Sequence, residues 1–198
     1  MPKPLILLLT LTACGGGKVT SDEEAEYAWL GLEIAIDKAL DLGMKGYSAA
    51  SSANIDAQSY TGDVSGTITV TGQVDQGSSD NKGLRLDIAL EDYQDLEDLD
   101  DDDDGDDDIV VQYETNPDDP PYADLKLRDM PDGTLSGTLQ GDVAMDGDLD
   151  GVITLSLSID GPTEDDGAGG VQRVDGETVV QGTATNDDGG VYQIDLLD

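Results

Sequence analysis

From Leu135 to Ile159 the chain keeps a period of two for 25 residues. The odd positions run Leu, Gly, Leu, Gly, Val, Met, Gly, Leu, Gly, Ile, Leu, Leu, Ile, and ten of the twelve even positions are polar, the exceptions being Ala144 and Val152. Alternation of this kind is the mark of strands with one face hidden from water. A single strand of that length would extend about 80 Å, far beyond ordinary strands, so the segment must fold back. A two-residue turn would reverse the parity of the inward face, whereas an odd loop preserves it. The parity is preserved here, which predicts a three-residue loop at Asp146-Gly147-Asp148. That register sets Met145 against Leu149, Leu139 against Leu155, Gly141 against Ile153 and Gly137 against Leu157. Small residues facing large ones suit a curved, strongly twisted sheet.

The same period recurs elsewhere. Even positions from Tyr60 to Val74 predict one long half-buried strand, and Leu84, Leu86, Ile88 and Leu90 continue it after a turn at 76–82. Shorter strands are expected at 109–114, 122–129, 171–184 and 190–197, with Asn186-Asp187-Asp188-Gly189-Gly190 as the last hairpin loop. Before residue 60 the period is helical. Ser21-Asp22-Glu23-Glu24 fits a capping box, and Ala25, Ala28, Trp29, Leu32, Ala35, Ile36, Ala39 and Leu40 form a stripe that Tyr27, Leu30 and Ile34 widen. Gly43 or Gly46 is the expected stop, followed by a polar connection over 47–59. The fold class is therefore mainly β: an antiparallel meander of about eight long strands, as a curved open or half barrel or a sandwich, with one N-terminal amphipathic helix.

Charge narrows the chemistry. Nine basic residues face 45 acidic ones, a formal net charge of −36, and the chain has no His and one Cys. A His general base, a His metal ligand and a Ser-His-Asp triad are excluded. An intrachain disulfide is excluded too. So few cations cannot neutralise a run of phosphates, which argues against nucleic acid as a partner. A high-salt habitat would screen the self-repulsion. Paired carboxylates could serve glycoside hydrolysis, but seven Tyr, one Trp and no Phe offer few sugar platforms, and no pair stands out.

Residues 1–14 (MPKPLILLLTLTAC) have the layout of an export signal: Lys3 as a minimal positive region, Leu5 to Leu11 as an apolar run, then small residues before Cys14. Leu11-Thr12-Ala13-Cys14 resembles the lipobox of bacterial lipoproteins. The resemblance covers these residues alone. It implies cleavage after Ala13, fatty chains such as palmitate on Cys14, and a membrane partner held through those chains. Gly15 follows where an Asp would retain an enteric lipoprotein in the inner membrane, so the implied location is the outer membrane. The expected organisation is a signal peptide over 1–13, a lipidated tether over 14–20, and one helix-plus-sheet domain over 21–198 with an acidic loop near 95–108.

Nine of the eleven residues in 98–108 are Asp, a density that favours a solvated loop. Asp100-x-Asp102-x-Asp104-Gly105 and Asp146-x-Asp148-x-Asp150-Gly151 each match the first half of an EF-hand loop, and Asp106 extends the first set. Both lack the bidentate Glu at the twelfth position, where Val111 and Leu157 stand. These seven aspartates are candidates for weak calcium binding, and the sequence points to no other cofactor. The functional expectation is a non-enzymatic, lipid-anchored envelope protein with a structural or interaction role. One alternative is a lipid or lipoprotein carrier with an apolar cavity under the helix, and another is a calcium-dependent surface or adhesion module.

Overall fold

The computed structural model describes residues 17–19, 21–96, 109–187 and 189–197. In chain order the elements are β1 (Gly17–Lys18), α1 (Asp22–Ala49), β2 (Asn54–Thr61), β3 (Ser65–Val74), β4 (Lys82–Gln94), β5 (Val111–Glu114), β6 (Tyr122–Arg128), β7 (Thr134–Gly147), β8 (Leu149–Asp165), β9 (Val171–Arg173), β10 (Val179–Asn186) and β11 (Val191–Leu197). Ten antiparallel strands form the sheet, joined by the two-residue parallel strand β1. The order across it is β11-β10-β8-β7-β4-β3-β2, with β5 and β6 filling successive lengths of the gap between β7 and β4. This is the expected mainly-β meander with one helix.

The parity argument holds, and the register differs by two residues. Met145 pairs with Gly151, Leu139 with Leu157, Gly141 with Leu155 and Gly137 with Ile159. The turn keeps an odd length but is longer than three residues, because its flanks find other partners: Gly147 pairs with Val111 of β5, and Leu149 pairs with Gly17 of β1. Glycine still faces a large aliphatic residue at both positions. The odd-numbered Leu, Val, Met and Ile residues of the stretch are all buried. The two apolar exceptions on the outer face, Ala144 and Val152, are a cross-strand pair.

The long strand expected over 60–74 is two strands. The chain reverses at 62–64, between β2 and β3, and Val64 lies exposed in the turn. Gly66 there has φ +69, close against the backbone of Asp92. β2 takes much of the segment expected as a connection. It is an edge strand with only Ile55 buried, so it carries no alternation that could announce it. The 171–184 strand is likewise split into β9 and β10.

α1 begins at the capping box: Glu24 N donates to Ser21 Oγ (3.1 Å) and Ser21 N to Glu24 Oε2 (3.0 Å). It passes through both expected stops to Ala49. Gly31, Gly43 and Gly46 are points of close approach to the sheet rather than caps. A Cβ on them would fall 2.6 Å from Tyr113 Oη, 2.3 Å from Leu86 Cδ1 and 2.4 Å from Ile55 Cγ2. The stripe from Ala28 to Met44 is buried against the sheet's inner face, while Leu30 turns outward. Tyr113 Oη donates to the Ala28 carbonyl at 2.8 Å and satisfies the one polar atom that its ring brings into this core.

The tether expected over 14–20 is shorter than its sequence suggests. Gly17 and Lys18 pair with Leu149 and Asp150, Val19 is buried, and Asn186 Nδ2 donates to the Val19 carbonyl at 2.7 Å. Residues 1–16, including Cys14, lie outside the described residues.

The buried odd face makes a direct prediction. Ile153→Asp places a charge in the core without a partner and should cost about 4 kcal/mol. Thermal unfolding should show a melting temperature lower by about 10 °C, at the 2–4 °C per kcal/mol expected of a domain this size. An unchanged melting temperature would mean that this face is not buried.

Candidate functional site

Of the candidate calcium ligands, three lie among the described residues, and these three do not form a metal-holding group. Asp100, Asp102, Asp104 and Asp106 lie outside the described residues. Asp146 and Asp148 are exposed in the β7–β8 turn, and Asp150 is half-buried at the start of β8. Asp148 Oδ2 accepts from Val110 N at 2.9 Å while Asp148 N donates to the Val110 carbonyl at 2.8 Å, so this carboxylate ties the turn to the chain entering β5. Among the described residues no three His, Cys, Asp or Glu side chains are placed to hold a metal ion.

What the structure assembles instead are cation pins between helix and sheet, none of which was singled out from the sequence. Lys38 Nζ donates to Asp95 Oδ2 and to Tyr60 Oη (2.8 Å), with the Tyr60 ring centroid 4.0 Å away. Tyr60 Oη donates to Asp63 Oδ1 (2.8 Å), and Asp63 N to Asp95 Oδ1 (2.8 Å). On the other flank of the helix, Arg173 of β9 donates through Nη2 to Asp37 Oδ1 and through Nε and Nη2 to Asp41 Oδ1, at 3.0 and 2.8 Å. The usable signal was scarcity. With nine basic residues among 45 acids, each cation has a choice of partners, and its position carries information.

The electrostatics follow from this geometry. The Asp95 side chain is only 2% exposed, though under thin cover. Burial alone would raise its carboxyl, but the bond from Lys38, the neighbouring Tyr93 hydroxyl and the Asp63 amide outweigh it and hold the group below the ordinary carboxylate range. Burial would lower Lys38, and its bonds to Asp95 and Tyr60 reverse that to a net rise. The Tyr93 hydroxyl is buried with no hydrogen bond of good geometry among the described residues. Burial first, then the Asp95 charge, push that phenol far above its usual value. Arg173 is raised in the same way as Lys38, with Asp37 and Asp41 overcoming burial.

Beside the Arg173 pin runs an open groove of about 670 Å³, between the second half of α1 and residues 166–178. Several of its polar groups are engaged with one another. Ser48 Oγ accepts from Val171 N (2.8 Å) and donates to the Val171 carbonyl (3.1 Å), and Asp166 Oδ1 accepts from the amides of Ala168 and Gly170, both at 2.8 Å. Those amide bonds lower the Asp166 carboxyl. Directly under the helix, two spaces of about 10 Å³ each separate it from the sheet, one near Trp29 and Val180, the other near Leu32, Leu139 and Leu155. Each holds one water at most. No helix among the described residues is long and apolar enough to cross a membrane.

No family model, curated protein or solved structure matches this chain.

The Lys38 pin predicts a pH signature. In the native protein Asp95 contributes stability that is present at neutral pH and fades below about pH 4, as the carboxyl protonates at its depressed value. Lys38→Met leaves a covered carboxylate with burial as its main influence, so the variant should be about 2 kcal/mol less stable at pH 7. As the pH falls below about 4 the gap between the two proteins should narrow, because the unfolded chains and the variant's covered carboxyl then take up a proton, and it closes only below the depressed value of native Asp95. Urea unfolding at pH 7 and pH 3 measures it, and a gap independent of pH would assign the loss to packing. At the alkaline end, the raised Lys38 and Tyr93 give stability that is intact below about pH 10 and lost above it.

Proposed function

We propose that this chain is a bacterial lipoprotein, anchored by fatty chains on Cys14 in the outer membrane, whose helix-filled sheet domain has a non-enzymatic structural or interaction role in the envelope. The observation that carries this reading is the run Leu11-Thr12-Ala13-Cys14, placed three residues before Gly17, the first paired residue among those described. Cleavage after Ala13 would keep every described element, from β1 to β11, in the mature chain. Several acyl chains bury enough methylenes for stable anchoring, at about 0.8 kcal/mol per CH₂. The lone Cys of an exported chain is then accounted for.

The packing under the helix weighs against the carrier alternative. A lipid chain needs a chamber of several hundred Å³, and the spaces found between helix and sheet are about 10 Å³ each. The larger groove beside β9 is open and lined with charged and small polar groups, which suits a polar surface contact better than an acyl chain.

The test is Cys14→Ser in the full chain, expressed in a bacterium with lipoprotein processing. The variant should keep its first thirteen residues, carry no fatty acid by intact mass, and lose the acyl-dependent partition into detergent. The native protein should show a mass gain on a new N-terminal Cys14. A native protein with an unmodified thiol would end this reading.

A further inference from the structure

Toward the β3–β4 turn, the outer face of the sheet carries an aromatic side chain in the open. Tyr122, at the start of β6, is 40% exposed, and no other aromatic residue among those described is exposed. Cross-strand register sets Tyr122 beside Asp87 of β4 and Asp87 beside Thr71 of β3, while the next outward row holds Arg85, Gln73 and Asn54. The inward neighbours Val70, Leu86 and Ala123 are buried, so parity turns both rows outward. These six side chains border an open cleft of about 480 Å³, a size typical of small-molecule sites. Their polar groups are largely uncommitted. Thr71, Asp87 and Tyr122 make no side-chain hydrogen bond among the described residues. Arg85 gives Nη2 to Asp75 (3.0 Å), and Gln73 meets Asn54 through one long bond (3.4 Å). Burial, then the Asp124 charge, raise the Tyr122 phenol, which stays a hydrogen-bond donor at neutral pH. The larger groove beside Arg173 differs on both counts: no exposed aromatic borders it, and several of its polar groups bond to one another.

We infer that this cleft binds one ring of a neutral pyranose sugar, stacked on Tyr122 and held by Thr71, Asp87 and Arg85. A pyranose has an apolar C–H face and a rim of hydroxyls, and the cleft supplies a counterpart to each. The face of an aromatic ring is negative and takes weakly positive C–H bonds. A carboxylate accepts from adjacent hydroxyls, a guanidinium donates to hydroxyl oxygens, and the Thr and Tyr hydroxyls do both. Charge sets the neutrality of the ligand. A chain of net charge −36 repels anions, and the guanidinium at the cleft is already shared with Asp75. A cation would meet that guanidinium and find one ring rather than an aromatic cage. An extended peptide finds no free strand edge here, since β3, β4 and β6 are each paired on both sides. One platform serves one sugar ring, so the shortage of aromatics that argues against glycoside hydrolysis does not count against binding. The site lies wholly within described strands and does not depend on the lipid anchor.

The test is saturation-transfer NMR on the full chain, in a detergent without a sugar headgroup, titrated with the methyl pyranosides of glucose, galactose, mannose and N-acetylglucosamine. At least one should bind saturably, with the strongest transfer on its C–H face. Tyr122→Leu removes the ring and should weaken that sugar about tenfold, whereas Tyr122→Phe should stay within about twofold. Asp87→Ala should weaken it about tenfold as well. Both side chains are exposed, so the melting temperatures of the variants should stay near the native one, and the Leu and Phe variants isolate the ring at a position that stays apolar. No saturable binding by any of the four sugars overturns the inference. So does native affinity in Tyr122→Leu, which would put the sugar elsewhere on the protein. Displacement of the sugar by tetramethylammonium at matched ionic strength would make the cleft a cation site, and displacement by inorganic phosphate an anion site. Either result overturns the assignment of a neutral ligand.

Discussion

Two adjacent residues of one helix are pinned to opposite ends of the sheet. Asp37 takes the guanidinium of Arg173 on β9, beyond β8, while Lys38 reaches Tyr60 on β2, the other edge. Neighbouring residues on a helix point about 100° apart, so both pins can hold only if the sheet curls around the helix. A flat sheet with strands about 4.8 Å apart would place those edges too far from a helix about 10 Å wide. The helix is thus the filling of the curl. Without it the inward Leu, Ile and Val side chains of β3, β4, β6, β7 and β8 would line a water-filled trough.

Glycine makes the filling close. Gly31, Gly43 and Gly46 let the helix backbone settle onto Tyr113, Leu86 and Ile55, where any side chain would collide. Across the sheet, Gly137 and Gly141 stand opposite Ile159 and Leu155 on the inward face, removing bulk where the curvature is drawn in. The two spaces found under the helix among the described residues are of water size, and a core packed to that density resists changes of even one methylene. That solidity shifts attention from the interior to the surfaces at the two ends of the sheet.

The net charge of −36 sets the electrostatic conditions. Each cation that reaches a carboxylate relieves part of the self-repulsion, and the covered ones do so where solvent screens least. Lys38 and Arg173 are spent on holding the helix in the sheet, and Arg85 on the Asp75 carboxylate next to the β3–β4 turn. On the outer face Thr, Ser, Gln and Asp predominate. The ends of the sheet, where β1, the turns and the groove lie, are places with distinct geometry.

Much of the fold was legible because period and parity are local. The alternation in 135–159 prescribed two strands with an odd turn and a buried odd face, and Ser21 with Glu24 prescribed the start of the helix. What could not be read were quantities settled by partners distant in sequence. The register of β7 on β8 moved by two residues because Val111 and Gly17 compete for the turn's flanks. The helix ran on to Ala49 because Gly43 and Gly46 answer to Leu86 and Ile55 rather than to the chain's own end signals. β2 escaped notice because an edge strand with one buried residue has no period to show. The proposed export signal and its cysteine rest wholly on the sequence, since residues 1–16 lie outside the described residues. The pins at Lys38 and Arg173 belong to the tertiary structure, since a charge acquires its partner only when the curl brings residues 57 and 136 positions apart within hydrogen-bonding distance.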